Sequence, residues 1–274
     1  MSPLNDPPRT VTLITGASGG IGADLARVAA ADGRDLVLVA RNRAALDALA
    51  DELAALPGQK NPRPLVLDLD LAAPGAVDAL VAFLAEQNAT PDIVVNNAGY
   101  GALGPAADGD PGEQLGMIDL NIRVLTEISL RFAAPLARVK GRLLNVASIA
   151  AFMPGPGMAI YYASKAYVLS FSEALSAEWA PLGASVTTLC PGPVPTGFQA
   201  RARFRPDMTM MKFGVVTSPE VARAAYDATL ARKRVVLPGF FAKLVAWTAP
   251  LTPKTLSLAL VSALQLRRNG KAGG

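Results

Sequence analysis

The hydrophobic positions of this chain fall into two alternating patterns. One is a short, continuous apolar run, at residues 11–15, 36–40, 65–67, 93–95, 142–146, 185–189 and 235–237. Such runs, rich in Val, Leu and Ile and bounded by Gly, Pro or polar residues, read as strands buried on both faces. The other is a longer stretch with Ala and Leu at helical spacing, at residues 24–32, 44–56, 76–87, 113–139, 161–179 and 219–232. Pro57-Gly58 ends the second of these helices, and Pro135 is expected to kink or shorten the fourth. Strands and helices that alternate over short links call for right-handed crossovers. The fold expected is α/β, a doubly wound seven-stranded parallel sheet with helices on both faces. A single domain over 1–274 is expected, with its core at about 10–237 and a helical C-terminal extension over about 239–268.

A doubly wound sheet binds ligands beyond the C-terminal ends of its strands, so those ends should carry glycines or polar residues. They do. The strands run into Thr15-Gly16, Arg41-Asn42-Arg43, Asp68-Leu69-Asp70, Asn96-Asn97-Ala98-Gly99, Ala147-Ser148 and Pro191-Gly192-Pro193. The first end is the richest: Gly16-Ala-Ser18-Gly19-Gly20-Ile21-Gly22 joins a strand to a helix. Free N–H groups at a helix N-terminus attract an anion, and glycines let a large ligand approach the main chain. The pyrophosphate of a dinucleotide fits that description. The spacing is neither G-x-G-x-x-G nor a P-loop, so the turn taken alone is equally a tight strand–helix connection.

Composition removes several alternatives. Of 274 residues, 51% are hydrophobic and 18% charged, which suits a sheet covered on both faces. The net charge of +4 is spread along the chain, which argues against a nucleic-acid partner. The absence of histidine excludes Ser-His-Asp and Cys-His catalysis and most zinc sites, so no metal is expected. Cys190, the only cysteine, cannot form an intramolecular disulfide and reads as a buried thiol at a strand end. The N-terminus lacks the pattern of a secretory signal, and no apolar run reaches the ~20 residues that span a bilayer. A cytoplasmic location is expected.

Two positions indicate cofactor and chemistry. NAD is held by an acidic residue at the end of the second strand, about 20 residues past the glycine turn. Arg41 stands there, and the nearest acid, Asp35, begins the strand instead. A guanidinium pairs with a 2′-phosphate through a planar fork, so NADP(H) is expected over NAD(H), with Asn42 and Arg43 as helpers; the alternative is a solvated surface arginine. Arg43 alone reads as surface. Asp68 is placed to accept from an adenine amino group, or simply to end its strand. Tyr161 and Lys165 lie four apart and share a helix face, a spacing that taken alone equally describes a surface pair. A cation beside a phenol favours phenolate and lowers its pKa, and a tyrosine so tuned can protonate a carbonyl oxygen as hydride arrives. Tyr162 lies off that face and reads as packing. Ser148, at the end of the preceding strand, can donate to the same oxygen or cap a turn.

The glycine turn, Asn96-Asn97-Ala98-Gly99, Asn121, Ser148, Tyr161 with Lys165, and Pro191-Gly192 together resemble the short-chain dehydrogenase/reductase family over about residues 10–237. The resemblance implies a Rossmann-type fold and a four-member site. Tyr161 would be the general acid in reduction and the base in oxidation. Lys165 would bind the nicotinamide ribose and lower the tyrosine pKa, Ser148 would position the carbonyl, and Asn121 would hold a water linking Lys165 to solvent. Gly16, Ser18, Gly19 and Ile21 would meet the phosphates and adjacent ribose, and Asp68 and Leu69 the adenine. Asn97, Ala98 and Gly99 would line the adenosine side, and Val194 and Thr196 would hold the carboxamide. Many members end in an Asp-Gly-Gly segment. Here Val236-Leu-Pro-Gly239 leads into an apolar tail closer to the hydroxysteroid and ketoacyl reductase-like branch. By analogy the assembly is a homodimer built on two long helices.

The tail and one loop complete the expectations. Leu256, Leu260, Val261 and Leu264 share a helical face followed by Arg267, Arg268 and Lys271. That face is expected to pack on its own domain or a partner subunit, with peripheral membrane contact as the alternative. The loop 198–216 carries Phe198, Phe204, Met208, Met210, Met211 and Phe213. It is expected to form an adaptable apolar substrate wall, with Phe152, Met153 and Met158 adding to it. Arg201, Arg203 and Arg205 could meet an anionic tail of the substrate, although a solvated face suits them better. The expected function is an NADP(H)-dependent oxidoreductase moving hydride between nicotinamide and a hydrophobic ketone or aldehyde, or the matching alcohol. The rival is a non-catalytic NADP(H)-binding sensor or scaffold.

Overall fold

The computed structural model describes residues 7–56, 62–195, 197, 202 and 215–265. Seven strands are present: β1 (Arg9–Thr15), β2 (Leu36–Ala40), β3 (Leu65–Asp68), β4 (Ala89–Asn96), β5 (Arg142–Val146), β6 (Ser185–Leu189) and β7 (Val235–Val236). They form one sheet in the order β3-β2-β1-β4-β5-β6-β7, and every pairing is parallel. The chain reverses direction across the sheet between β1 and β4, which opens a crevice above their C-terminal ends.

Helices α1 (Gly20–Ala31), α2 (Arg43–Ala54) and α7 (Ser218–Leu230) cover one face. Helices α3 (Ala76–Glu86), α5 (Leu125–Arg138) and α6 (Ala159–Trp179) cover the other. Strand pleating divides β1 between them: Ile14 enters the first core, and Val11 and Leu13 enter the second. All three are fully buried, and each such side chain contributes roughly 1.5–3 kcal/mol.

The helix expected over 113–139 is three pieces: α4 (Pro111–Ile118), a π-helical stretch over Asp119–Val124, and α5. Asp110 caps α4 through the N–H of Glu113, with Pro111 in the first turn where its missing N–H costs nothing. Pro135 neither stops nor shortens α5, because Phe132 and Leu136 anchor its last turns in the core.

The C-terminal extension is two helices, α8 (Gly239–Thr248) and α9 (Lys254–Gln265), joined through a turn over Ala249–Leu251. Ser257, Val261 and Gln265 of α9 pack on the domain, so of the expected face Val261 is buried as foreseen and Leu256 and Leu260 are not. Val261 sits against Ala150, Met158 and Tyr162, whereas Leu256 and Leu260 are exposed. Leu264, Arg267, Arg268 and Lys271 lie outside the described side chains. Phe240, Leu244, Trp247 and Leu251 form an exposed apolar stripe along α8 and the turn after it. No helix among the described residues is long and apolar enough to cross a membrane.

Candidate active site

The glycine turn is built by close approach. Gly16 takes φ +67°, and a Cβ there would stand 2.8 Å from Asn97 Nδ2. A Cβ on Gly22 would meet the Gly16 carbonyl oxygen at 2.4 Å, so α1 starts directly beneath the turn. Asn97 fastens β4 to this turn, donating from Nδ2 to the carbonyls of Thr15 (3.0 Å) and Gly16 (3.1 Å). Thr15 Oγ1 accepts from the N–H groups of Asn97 and Ala98 and donates to the Val95 carbonyl. Gly19, by contrast, faces open space: a Cβ there meets nothing within 4 Å. It stands at the N-cap of α1, which has no side-chain cap, so the first N–H groups of the helix are left for a ligand.

At the other side of the crevice stand the chemical groups. Ser148 is extended, and its hydroxyl accepts from the Ala150 N–H at 3.1 Å while also bonding the Tyr161 phenol. The expected capping role and the expected contact at the site thus coexist. Lys165 is buried, donates from Nζ to the Val146 carbonyl at 2.8 Å, and lies 5.8 Å from the centre of the Tyr161 ring. Burial pushes its ammonium down to about 8, opposed by Cys190. Burial pushes the Tyr161 phenol up to about 12; Ser148 opposes the rise and Tyr162 adds to it. The expected lowering of the tyrosine pKa is therefore not the state of the free protein. The ammonium is held on Val146, and desolvation dominates. Cys190 is a buried thiol, as expected, also pushed up to about 12 by burial.

Asn121 sits in the π-helical stretch, fully buried. Its Oδ1 accepts from the Tyr100 N–H at 3.1 Å, and its Nδ2 donates to the Tyr100 carbonyl (2.9 Å) and Ser164 Oγ (3.1 Å). A Cβ on Gly99 would lie 2.9 Å from Asn121 Oδ1 and 3.6 Å from Lys165 Nζ, so the two side chains are near neighbours behind that glycine.

One cavity of about 560 Å³ connects these parts. Gly16, Ser18, Gly19, Ile21, Arg41, Leu69, Asn97, Ala98, Gly99, Ser148, Tyr161, Lys165, Pro191, Gly192 and Val194 all line it. A family profile described as short chain dehydrogenase matches residues 10–206. The chain belongs to the short-chain dehydrogenase family. It is 34% identical over 198 residues to the probable oxidoreductase EphD of Mycobacterium tuberculosis, a match covering 71% of this chain. The chain spans about a third of that relative, 33% of its length. A short-chain dehydrogenase from Sphingobium yanoikuyae, solved in complex with NADPH, is 32% identical with a TM-score of 0.75; the match covers 96% of this chain and 94% of that one. A short-chain dehydrogenase/reductase from Burkholderia phymatum, solved with NAD, is 26% identical with a TM-score of 0.73, covering 85% and 90%.

Several of the expected residues lie elsewhere. Asp68 is not on the cavity. It is exposed and pairs with Arg43 at 3.3 Å, because it closes β3 on the side of α2. Asp70 lines the cavity in its place, 3.8 Å from Arg41. Asn42 caps α2 through the Ala45 N–H, and Arg43 also pairs with Asp47, so neither is a free partner for Arg41. Asn121 stands behind the lining rather than on it. Phe152 packs with Leu125, Ala147, Val168 and Cys190, and Met153 also lies off the cavity; of that trio Met158 alone lines it. Thr196 lies outside the described residues, as do Phe198, Arg201, Arg203, Phe204, Arg205, Met208, Met210, Met211 and Phe213. Among the lining residues not foreseen are Tyr162, expected only to pack, and Gln265. The Tyr-Tyr doublet carried a signal for the first. Nothing local marks the second, which arrives by folding of the tail.

Proposed function

We propose that this dehydrogenase is an NADP(H)-dependent carbonyl reductase, or alcohol dehydrogenase in reverse, acting on hydrophobic ketones or aldehydes. The observation that carries this reading is the meeting of Ser148, Tyr161 and Lys165 in the same cavity as the glycine turn. The residues fit a dinucleotide: space stands open in front of Gly19, the helix N–H groups behind it are uncapped, and Arg41 is an exposed cation at the end of β2. The NADPH carried by the Sphingobium relative supports the same choice. The glycine turn would hold the pyrophosphate, Arg41 the 2′-phosphate, and Lys165 the nicotinamide ribose. Bound there, the nicotinamide supplies hydride in reduction and takes it up in oxidation.

The remaining work belongs to the chain. With its phenol raised by burial, Tyr161 is fully protonated near neutrality and ready to donate. Ser148, bonded to that phenol, holds the carbonyl oxygen beside it. As hydride reaches the carbonyl carbon, the O–H bond of Tyr161 breaks and its proton passes to the oxygen. The resulting phenolate is stabilised by the Lys165 ammonium and recovers a proton from solvent. Asn121, locked to Tyr100 and Ser164, keeps the segment behind Lys165 in place. A non-catalytic sensor would need no such trio. The test is the loss of NADPH absorbance across a panel of hydrophobic ketones and aldehydes, with NADH in parallel. Turnover with NADPH is expected, and no turnover with either cofactor would defeat the proposal.

A further inference from the structure

Gln265 ends α9, and its side chain is only 3% exposed. It lines the same cavity as Ser148 and Tyr161. Its Nε2 donates to Tyr162 Oη at 2.8 Å, while its Oε1 is buried with no hydrogen-bond partner among the described residues. Tyr162 is itself buried, edge-on to Tyr161 with ring centres 6.1 Å apart, and seated against Gly155, where a Cβ would strike its ring at 2.2 Å. The pair cannot easily drift. A buried amide oxygen left without a donor is destabilising, and a ligand that supplies the donor removes that penalty. The surroundings are apolar: Val261, Met158 and Ala150 pack around the pair.

We infer that Gln265 and Tyr162 form a substrate-binding subsite that takes a hydroxyl group remote from the reacting carbonyl, so that the preferred substrate is a hydrophobic hydroxy-ketone. A hydroxyl fits best because it donates to Gln265 Oε1 and accepts from the Tyr162 O–H at once. If the amide is turned over, its free N–H group meets the same hydroxyl oxygen. A plain hydrocarbon would leave the amide oxygen unsatisfied. The inference rests on the reductase reading and assigns α9 the role of carrying specificity into the site.

The test uses full-length protein, NADPH and matched ketones, such as 4-phenylbutan-2-one and its 4-hydroxyphenyl analogue. Wild type is expected to prefer the hydroxylated member by about 10-fold or more in kcat/KM, mainly through KM. Gln265→Met, close in volume, is expected to bring the ratio near one by loss on the hydroxylated member. Tyr162→Phe should do the same and serves should the first variant fold poorly, as thermal melts will report. Equal kcat/KM for the two members in wild type, or a preference that survives both substitutions, overturns the subsite and leaves the reductase standing. No NADPH oxidation with either member overturns the reductase reading, and the subsite with it.

Discussion

Gly19 and Gly22 belong to one turn, yet the structure assigns them opposite duties. In Gly22→Ala the new methyl would sit 2.4 Å from the Gly16 carbonyl oxygen and 2.5 Å from Asn97 Nδ2. Neither atom is free to move, since Asn97 Nδ2 is bonded to the carbonyls of both Thr15 and Gly16. Overpacking costs about 1–3 kcal/mol, and each weakened Asn97 bond adds about 1, against about 1 regained from the helix preference of alanine. The net loss is about 3 kcal/mol, a fall in Tm of about 6–12 °C for a domain of this size. Gly19→Ala should behave differently. Its φ of 174° suits any residue, and its Cβ meets nothing within 4 Å. Stability should stay within about 0.5 kcal/mol of wild type. The methyl would instead occupy the space where a pyrophosphate approaches the helix, so NADPH affinity should fall about 10-fold or more. Thermal melts and NADPH titration by fluorescence separate the two effects. A Gly22→Ala protein as stable as wild type, or a Gly19→Ala protein that binds NADPH normally, would refute the reasoning.

Other consequences follow from single residues. Arg41→Ala should lower kcat/KM with NADPH by about 10–100-fold and leave NADH nearly unchanged, because Asn42 and Arg43 are committed elsewhere; equal losses with both cofactors would remove the 2′-phosphate role. Lys165 titrates at about 8 in the folded protein against 10.5 ordinarily, so above pH 8 the unfolded chain binds the proton that the folded chain has released. Its contribution to stability is therefore lost as pH falls through 8 and rises above it. Cys190 and Tyr161, raised from 9.0 and 10.0, act in the opposite sense from those values upward. Denaturant melts between pH 8 and 9 should show the rise in wild type and its absence in Lys165→Met; parallel curves would contradict the assignment. A homodimer through α5 and α6 is proposed, since Leu130 on α5 and Tyr167 on α6 are both exposed and Tyr167 bonds Thr126 of α5 at 2.8 Å. Leu130→Asp should give monomers in sedimentation velocity, and an unchanged species would move the interface elsewhere.

How much of this was legible depends on the range of the interaction. The strands of the sheet are local apolar runs, and their ends carry glycines and polar residues because a parallel sheet exposes its ligands there. Tyr161 and Lys165 are likewise readable, since four residues on one helix must share a face. Asp68 and Asp70 were not separable, because residues two apart stand on the same side of an extended chain and the path after β3 decides which reaches the cavity. Pro135 misled because local helix breaking lost to the burial of Phe132 and Leu136. The π-helical turn that carries Asn121 has no signature in residue spacing. Gln265 reaches Tyr162 only through the docking of α9, and its neighbours in sequence, Leu256 and Leu260, suggested another face.

The central claim is that Tyr161 passes a proton to a substrate oxygen within a cofactor-loaded crevice. Tyr161→Phe removes that hydroxyl and leaves the ring, so the decisive measurement is its kcat with NADPH and a ketone that wild type reduces, alongside NADPH affinity. The account predicts a kcat lower by about 10²–10⁴-fold with affinity retained. A variant that reduces the ketone as fast as wild type would contradict it.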